Sequence, residues 1–268
     1  MRRSSRKPWP AGCSRGRTPV PTYPLQALVL RKTKLGETDT ILTLLAADGR
    51  QVRAVAKGLR KPGGRFGARL EPYAVCDLML NTGRSLEIVT DARTVASHAG
   101  LREDLDRSAA ASVVADLLDK ISVEGQHEER LYALSTTTLD VMETAPVEAL
   151  PALVIAFLVK AMAMHGYRPQ LESCACCAQE VGASRDFSVS GGGSLCPQCG
   201  ALDATAVRFS AEGRAWLTRL LQARMAEVPA LSMPAAAVRD CFELVRAFVT
   251  FHIPARLRAL DFYAGMLG

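Results

Sequence analysis

The hydrophobic period of this sequence changes near residue 100, and that change limits what the chain can fold into. From Leu25 to about Ala92, apolar residues form short runs separated by turn signals, a pattern typical of β-strands. After residue 100 they recur at helical spacing, most clearly at Val238, Phe242 and Val249. Because the first pattern predicts strands and the second predicts helices, the chain of 268 residues is expected to fold as two units.

Five short strands are predicted in the first unit, at residues 25–34, 39–46, 51–57, 73–80 and 85–90. Asp48-Gly49 and Asn81-Thr82-Gly83 supply the positive-φ residues that tight hairpins require. Strands in such a small set hide their edges by closing on themselves, and the five-stranded OB barrel is a common solution at this length. The expected fold class is therefore α+β and multidomain, beginning with a five-stranded OB barrel.

The second unit, residues 101–268, is predicted to be all-helical. Helices are expected at 101–121, 127–143, 147–165, 210–226 and 235–252, with a short one from Pro254 onward. The longest strongly apolar run, Leu150 to Val159, is shorter than the ~20 residues that span a bilayer. We therefore expect a soluble, cytoplasmic protein that has no membrane partner.

The charges of the chain are distributed unevenly. Residues 1–24 hold six Lys and Arg and no acidic residue, and we interpret them as a disordered basic tail. Residues 25–100 hold 12 basic and 7 acidic residues, and residues 101–268 hold 15 basic and 20 acidic ones. The expected domains are thus a tail at 1–24, a DNA-binding barrel at 25–100 and an acidic helical domain at 101–268.

Five of the eight cysteines lie between residues 174 and 199. Cys174 with Cys177 and Cys196 with Cys199 form two C-x2-C pairs, a spacing that lets four thiolates converge on one zinc ion. Disulfides are the alternative, but they rarely persist in a reducing compartment. Four thiolates fill the coordination shell, so the expected zinc ion, one per chain, is structural and folds an insert at about 171–206.

Two other interpretations of this cysteine cluster fit the sequence less well. Cys176 could replace Cys174 or Cys177 as a ligand, although only the latter two repeat the two-residue spacing. His127-Glu128-Glu129 together with the second pair formally resembles the motifs of a zinc deaminase, but Leu195 and not proline precedes Cys196. The sequence contains no phosphate-binding P-loop motif and no H-E-x-x-H motif, which argues against ATP hydrolysis and zinc-protease chemistry.

Seven Lys and Arg residues, and no acidic residue, lie between Gly49 and Leu70. This surface suits a phosphate backbone, and a solvated face kept for solubility is the alternative. Phe66 is the best candidate for stacking on a base. The predicted DNA-binding residues are Arg31, Lys32, Lys34, Arg53, Lys57, Arg60, Lys61, Arg65, Phe66 and Arg69.

The order and spacing of several segments resemble the RecO family of bacterial DNA repair proteins, from Leu25 to the C-terminus. The segments are Ala27-Leu-Val-Leu-Arg31, Gly36-Glu-Thr-Asp39, Ala54-Val-Ala-Lys57-Gly58, Leu70-Glu-Pro72, Gly166-Tyr-Arg-Pro169 and Arg256-Leu-Arg258. The resemblance implies an OB domain followed by a helical domain with a zinc-binding insert. That architecture agrees with the one predicted from the residues alone.

The same resemblance implies a recombination mediator without catalytic chemistry, acting in the cytoplasm in association with the nucleoid. Such a protein binds single- and double-stranded DNA, anneals complementary strands and, with RecR, helps load RecA onto strands coated by SSB. Recognition of the acidic C-terminal tail of SSB would need a basic pocket in the helical domain, with candidates Arg102, Arg107, Arg130, Arg256 and Arg258. The alternative functions are a zinc-dependent nucleic-acid enzyme and a protein-only adaptor.

Overall fold

The N-terminal strands close into a barrel in the computed structural model, which describes residues 21–61 and 66–267. The strands are β1 (Thr22–Leu35), β2 (Asp39–Ala46), β3 (Gln51–Ala56), β4 (Val75–Asn81) and β5 (Glu87–Ala96), in the order β1-β2-β3-β5-β4. A short parallel contact between β3 and β5, at Ala54 opposite Glu87, completes the closure. The predicted five-stranded barrel followed by a helical domain is confirmed.

Strand β1 begins earlier than the sequence predicts. Thr22 and Pro24 pair with Asn81 and Met79 of β4, so residues 22–24 are ordered strand and not part of a disordered tail. A proline can occupy a strand at a position where no backbone N–H is needed for pairing. Because this segment is rich in proline, the sequence does not predict the strand there. Residues 1–20 of the predicted tail lie outside the described residues.

Alternate residues of the barrel strands point to two different cores. Ala27 and Val29 of β1 face a small interior together with aliphatic residues of the other four strands. Leu28 and Leu30 face outward, and with Leu45 they belong to the same buried cluster as the helical domain. The barrel therefore has its own interior but shares its outer apolar row with the helices.

The helical part contains α1 (Gly100–Glu103), α2 (Leu105–Ile121), α3 (Glu129–Thr144), α4 (Leu150–Met164), α5 (Pro197–Gly200), α6 (Ala211–Gln222), α7 (Ala235–His252) and α8 (Arg258–Leu267). The first predicted helix is broken at Asp104, whose extended backbone and side chain cap α2 through the N–H of Arg107. Leu105 consequently lies at the first position of α2, where its side chain is 69% exposed and does not pack in the core.

Helix α4 lies at the centre of the helical domain. The stretch Val147–Met164 is long and apolar enough to cross a membrane by length and composition alone, with a mean hydropathy of 2.0. Eleven of the fifteen residues of α4 are buried, however, and α2, α3, α6 and α7 all pack against it. Its apolar composition is therefore accounted for by a position in the core.

Between α4 and α6 the chain forms a three-stranded sheet in the order β7-β6-β8, from β6 (Asp186–Ser188), β7 (Gly193–Leu195) and β8 (Val207–Arg208). Phe187 of this sheet is 1% exposed and joins the helical core. It meets Phe209 and Phe248 edge to face at ring centroid distances of 6.0 and 6.3 Å. These aromatic contacts hold the sheet against α7.

Polar contacts fix the junction between the barrel and the helices. The buried ring of His98 lies 2.6 Å from the carbonyl oxygen of Tyr73 and 2.7 Å from a carboxylate oxygen of Asp140 on α3. Arg102 donates to the carbonyl oxygen of Pro72 at 2.9 Å. Because these groups belong to the barrel loop on one side and to the helices on the other, they fix the orientation of one unit against the other.

Replacing Gly49 tests the contact between the β2–β3 turn and α3. Gly49 has φ +87°, and an added Cβ would lie 2.3 Å from the backbone of Glu128. Gly36 has a similar φ of +57° but open space around it, so it is a matched control. We expect Gly36→Ala to lower the free energy of unfolding by about 1 to 2 kcal/mol through backbone strain, and Gly49→Ala by about 1 to 3 kcal/mol more through the clash. Urea unfolding of the two variants measures both values, and equal losses would contradict the packed turn.

Candidate nucleic-acid interface and metal centre

The outer face of β1, β2 and β3 carries a row of basic side chains. Arg31 lies opposite Thr43, and Thr43 lies opposite Arg53, so the two arginines flank one buried threonine. Lys57 follows directly after β3, four residues from Arg53, and period-two alternation continues the same face to it. We call the set Arg53, Lys57, Arg60, Lys61 and Arg84 the basic face.

The loop after β3 is attached to the turn between β1 and β2. The N–H of Gly58 donates to a carboxylate oxygen of Asp39 at 2.8 Å, and the N–H of Arg60 donates to the carbonyl oxygen of Thr38 at 3.0 Å. The guanidinium of Arg60 also reaches the carbonyl oxygen of Gly36 at 3.1 Å. The described part of the loop thus presents its cations at a fixed end of the barrel.

Asp39 is acidic but serves as an acceptor for this loop. The bond from the Gly58 N–H is the main cause that lowers the pKa of the Asp39 carboxyl, and it outweighs the partial desolvation of the group. The charges of Lys57 and Lys61 lower the pKa further. Asp39 therefore stabilises the described part of this loop as a hydrogen-bond acceptor.

Closure of the barrel adds Arg84 to the basic face. Arg84 lies in the β4–β5 loop and, with Arg50 and Arg53, lines a cleft of about 320 Å³ that also contains Glu87 and Glu124. Because Arg84 and Arg53 are 31 residues apart in the chain, the sequence alone does not show that they line one cleft. The glycine before it, Gly83, makes a turn so tight that an added Cβ would lie 1.8 Å from a carbonyl oxygen of Leu86.

The predicted DNA-binding residues fall into two groups. Lys34, Arg53, Lys57, Arg60 and Lys61 are exposed, and in the described ranges none of them forms an ion pair. Arg31 pairs with Asp119 of α2 at 3.2 Å, Lys32 pairs with Glu71 at 2.7 Å, and Arg69 donates to the carbonyl oxygen of Ala92 at 3.4 Å. These three residues have structural partners, and Arg65 lies outside the described residues.

Phe66, the residue predicted to stack on a base, is buried in the structure. Phe66 is 3% exposed and packs in the barrel interior with residues such as Leu70. A glycine-bearing loop suggests an exposed ring. The interior of a small barrel is filled by side chains, however, and Phe66 is one of the residues that fill it. The described barrel therefore offers cations to a nucleic acid, but Phe66 offers no exposed ring beside them.

The four cysteines of the two C-x2-C pairs converge at one point. Their sulfur atoms all lie within 4.8 Å of one another, and those of Cys177 and Cys196 are 3.7 Å apart. Sulfur atoms about 2.3 Å from a central zinc ion at the corners of a tetrahedron lie about 3.8 Å apart. The donor set therefore fits one metal ion, held by Cys174, Cys177, Cys196 and Cys199.

Local backbone geometry forms both cysteine turns. The N–H of Ala178, which has a positive φ of 60°, donates to the carbonyl oxygen of Cys174, and the N–H of Gly200 donates to that of Cys196, both at 2.8 Å. An added Cβ at Gly200 would lie 2.5 Å from a carboxylate oxygen of Asp186. Glycine is thus required where the second turn packs on the small sheet.

The thiols of the cluster influence one another's ionisation. Burial opposes ionisation of Cys174, but backbone N–H groups, first that of Cys196 and then that of Cys177, outweigh it and lower its pKa to about 6. The pKa of Cys199 is raised, mainly by the neighbouring thiol of Cys196 and then by that of Cys177. Because four thiolates so close together repel one another, a bound cation is what lets all of them ionise.

The segment around the cluster has almost no apolar core of its own. Its separate buried cluster consists of Cys174, Leu195 and Cys196, two of which are metal-ligand candidates. Cys176 is exposed and lies outside the group of four. A metal ion held by these cysteines would therefore add to the stability of this segment, as in other small four-cysteine units.

The residues of the deaminase-like alternative do not assemble with the cysteines. His127 is exposed, and its Nδ1 lies 3.5 Å from a carboxylate oxygen of Asp48 on the barrel. Cys76 and Cys241 are fully buried, and burial raises their pKa to about 11 and about 12. Both are packed core residues, and Cys13 lies outside the described residues.

Most of the arginines proposed for an acidic-tail pocket have internal partners. Arg102 and Arg107 bond to backbone carbonyl groups, while Arg130 and Arg256 pair with Glu128 and Asp261. Arg258, on α8, is exposed.

Comparison with known proteins covers almost the whole described chain. The family described as "Recombination protein O N terminal" matches residues 22–98, and "Recombination protein O C terminal" matches residues 102–261. A DNA repair protein RecO from Frankia casuarinae is 38% identical over 91% of this chain and 98% of its own length. A DNA repair protein RecO from Nocardioides is 36% identical over 90% of this chain and 98% of its own length. A third, from Bifidobacterium adolescentis, is 31% identical over 90% of this chain and 98% of its own length.

Removing one cysteine at a time tests the metal centre. We expect Cys199→Ser to lower the bound metal content, measured by elemental analysis of purified protein, and to lower the thermal midpoint, because three thiolates hold the ion less tightly than four. Cys176→Ser is the matched control, since its thiol lies outside the group of four, and should retain both. Equal metal loss in the two variants would contradict this ligand set.

The acceptor role of Asp39 makes a prediction about pH. Asp39→Ala should be less stable than the parent at neutral pH, because it removes the acceptor for the Gly58 N–H. The folded pKa of Asp39 is lowered, so the difference is present above about pH 4 and disappears as pH falls through the folded value. Urea unfolding of both proteins between pH 7 and 3 measures it, and a difference that persists unchanged at the lowest pH would contradict the role.

Proposed function

The chain belongs to the RecO family of DNA repair proteins, and from that premise we propose that it is a recombination mediator that binds DNA without catalytic chemistry. The observation that supports this most strongly is the basic face. Its cations are exposed on one side of the barrel, whereas Arg31, Lys32 and Arg93 are paired with carboxylates elsewhere. Exposed cations that no carboxylate neutralises can neutralise phosphates at little structural cost.

The same surface supports strand annealing. Two complementary strands repel each other through their phosphates, and a protein that neutralises phosphates on both strands lowers that repulsion and lets base pairing proceed. This process requires no covalent step. Phosphate contacts carry no sequence information, so we propose binding to both single- and double-stranded DNA with little sequence preference.

We propose zinc as the metal of the cysteine cluster, one ion per chain. Four thiolates in a tetrahedral set are the ligands that structural zinc prefers. When bound, zinc would stabilise the small sheet between α4 and α6. With four protein ligands the ion has no open position for a water molecule, which separates this site from that of a zinc hydrolase.

The partners implied by the family are RecR, the C-terminal tail of SSB and, indirectly, RecA, in the cytoplasm and in association with the nucleoid. In this scheme the basic face contacts the DNA, and the acidic helical domain contacts proteins. A zinc-dependent nucleic-acid enzyme would need an open metal position. A protein-only adaptor would bind no DNA, which the experiment below measures directly.

Charge reversal on the basic face tests the proposal. We expect the parent protein to bind a single-stranded oligonucleotide with a log affinity that falls against log salt with a slope of about −3 to −6. Replacing Arg53, Lys57, Arg60 and Lys61 by Glu should flatten the slope by about 3, weaken binding at least about tenfold and abolish annealing without ATP. Fluorescence anisotropy and annealing of labelled complementary strands give the two readouts.

A control variant carries the same change in net charge elsewhere. It replaces Arg93, Arg130, Arg224 and Arg239, which are exposed residues away from the basic face, by Glu. We expect this variant to keep its slope within about one unit of the parent value, because it removes no phosphate contact. Equal losses in the two variants would show that total charge and not the basic face governs binding.

A further inference from the structure

The basic face can hold phosphates, but the described barrel offers no exposed aromatic ring beside them. Phe66 and Tyr73 are buried, and Tyr23 is partly buried with Arg50 and Glu87 near its hydroxyl. Proteins that hold single strands commonly stack bases on aromatic side chains, worth about 1 to 3 kcal/mol per base. Exposed rings occur instead in the helical domain, at Tyr167, Phe251 and Phe262.

An open cleft of about 410 Å³ lies between the end of α4, the end of α7 and the first cysteine turn. Its lining includes Tyr167, Arg168, Gln170, Phe248 and His252, and we call it the aromatic cleft. Gly191 and Gly192 form part of one wall. An added Cβ at Gly191 would lie 2.9 Å from the hydroxyl oxygen of Ser188, and Gly192 has a positive φ of 73°, so both positions favour glycine.

The rings of the aromatic cleft form a connected series. Tyr167 and His252 lie 4.6 Å apart between centroids with a small tilt of 32°, and Phe248 meets His252 at 4.5 Å. Phe251, which lies outside the lining of the cleft, meets the same imidazole edge to face at 5.0 Å. The bond between Nε2 of His252 and the carbonyl oxygen of Val189, 3.0 Å, fixes the ring at the centre of the series.

Two of these rings are exposed. Phe251 is 59% exposed and Tyr167 is 37% exposed. Phe251 follows the buried stripe of α7, and its exposure leaves a large apolar ring in water beside a fixed ring series. A flat partner that covers it would remove that apolar surface from water.

The charge of the aromatic cleft suits an anion. No acidic residue lines it, and Arg168 is exposed at its edge. Lys160 lies close enough to Arg168 for the two charges to repel, and it is tied to the carbonyl oxygen of Leu221 at 2.7 Å. An arginine beside exposed rings is the combination that holds a phosphate and its base together.

The cleft also lies near the barrel. The cavity between barrel and helices is lined by Gly49 of the β2–β3 turn and by His165, whose ring centroid is 5.9 Å from that of Tyr167. Arg50, the next residue after Gly49, lines the cleft that also contains Arg53 and Arg84. A strand that follows the basic face past this turn is therefore directed towards the aromatic cleft.

We propose that the aromatic cleft and the exposed ring of Phe251 beside it bind unpaired bases of a single-stranded nucleic acid, with Phe251 and Tyr167 as stacking platforms and Arg168 as the phosphate contact. The proposal rests on the proposed DNA binding of the basic face and extends it to the bases. Paired bases are not available for such stacking, so this site favours single strands over duplex.

The test compares two ligands, a labelled oligo-dT and an abasic oligonucleotide of the same length, which keeps the phosphates and lacks the bases. The full-length parent protein should bind oligo-dT more tightly than the abasic strand. Phe251→Ala should weaken oligo-dT binding about fivefold or more and leave abasic binding unchanged within about twofold. Tyr167→Leu should act in the same direction, and Phe251→Trp should retain the parent affinity.

Phe262→Ala is the matched control, since Phe262 on α8 is similarly exposed, at 56%, and lies outside the ring series. It should leave both affinities unchanged. If the parent bound the two oligonucleotides equally and Phe251→Ala changed neither affinity, the cleft proposal would be overturned while DNA binding by the basic face stood. If the parent bound neither oligonucleotide, the proposed function itself would fail.

Discussion

The packing of the barrel's outer apolar row against the helical domain is the contact on which the rest of the arrangement depends. Leu28, Leu30 and Leu45 lie in the same buried cluster as α2 and α4, so the barrel and the helices share one core. His98 and Arg102 add directional bonds at the junction. Because a shared core resists relative motion, the basic face and the aromatic cleft keep a defined relation to each other.

Whether a cation is paired with a carboxylate, more than the number of cations, defines the candidate interface. The barrel carries a surplus of cations, yet Arg31 and Lys32 are tied to carboxylates while Arg53 and Lys57 are not. Exposed ion pairs contribute about 0 to 1 kcal/mol each, so their main effect here is to fix orientation and reduce the charge available to a ligand. The cations without such partners are concentrated on one face and loop.

The metal centre shows how far local sequence can specify a site. The spacing of Cys174, Cys177, Cys196 and Cys199 is sufficient to predict the ligand set, because each C-x2-C turn is a local structure that brings two sulfur atoms together. The barrel strands and most helix positions are likewise predictable from hydrophobic period. The exceptions are local as well: a cap at Asp104 breaks one helix, and a proline-rich composition hides the start of β1.

The sequence by itself determined the two kinds of secondary structure, the four converging thiols and the basic character of the first domain, since each follows from neighbours within a few residues. Only the tertiary structure decided that Phe66 packs inside the barrel and that Arg84 lines a cleft with Arg53. It also decided that the rings of Tyr167 and Phe251 both contact the imidazole of His252. These facts depend on contacts between residues far apart in the chain. Burial and partnering are properties of the closed barrel and packed helices, and no local pattern encodes them.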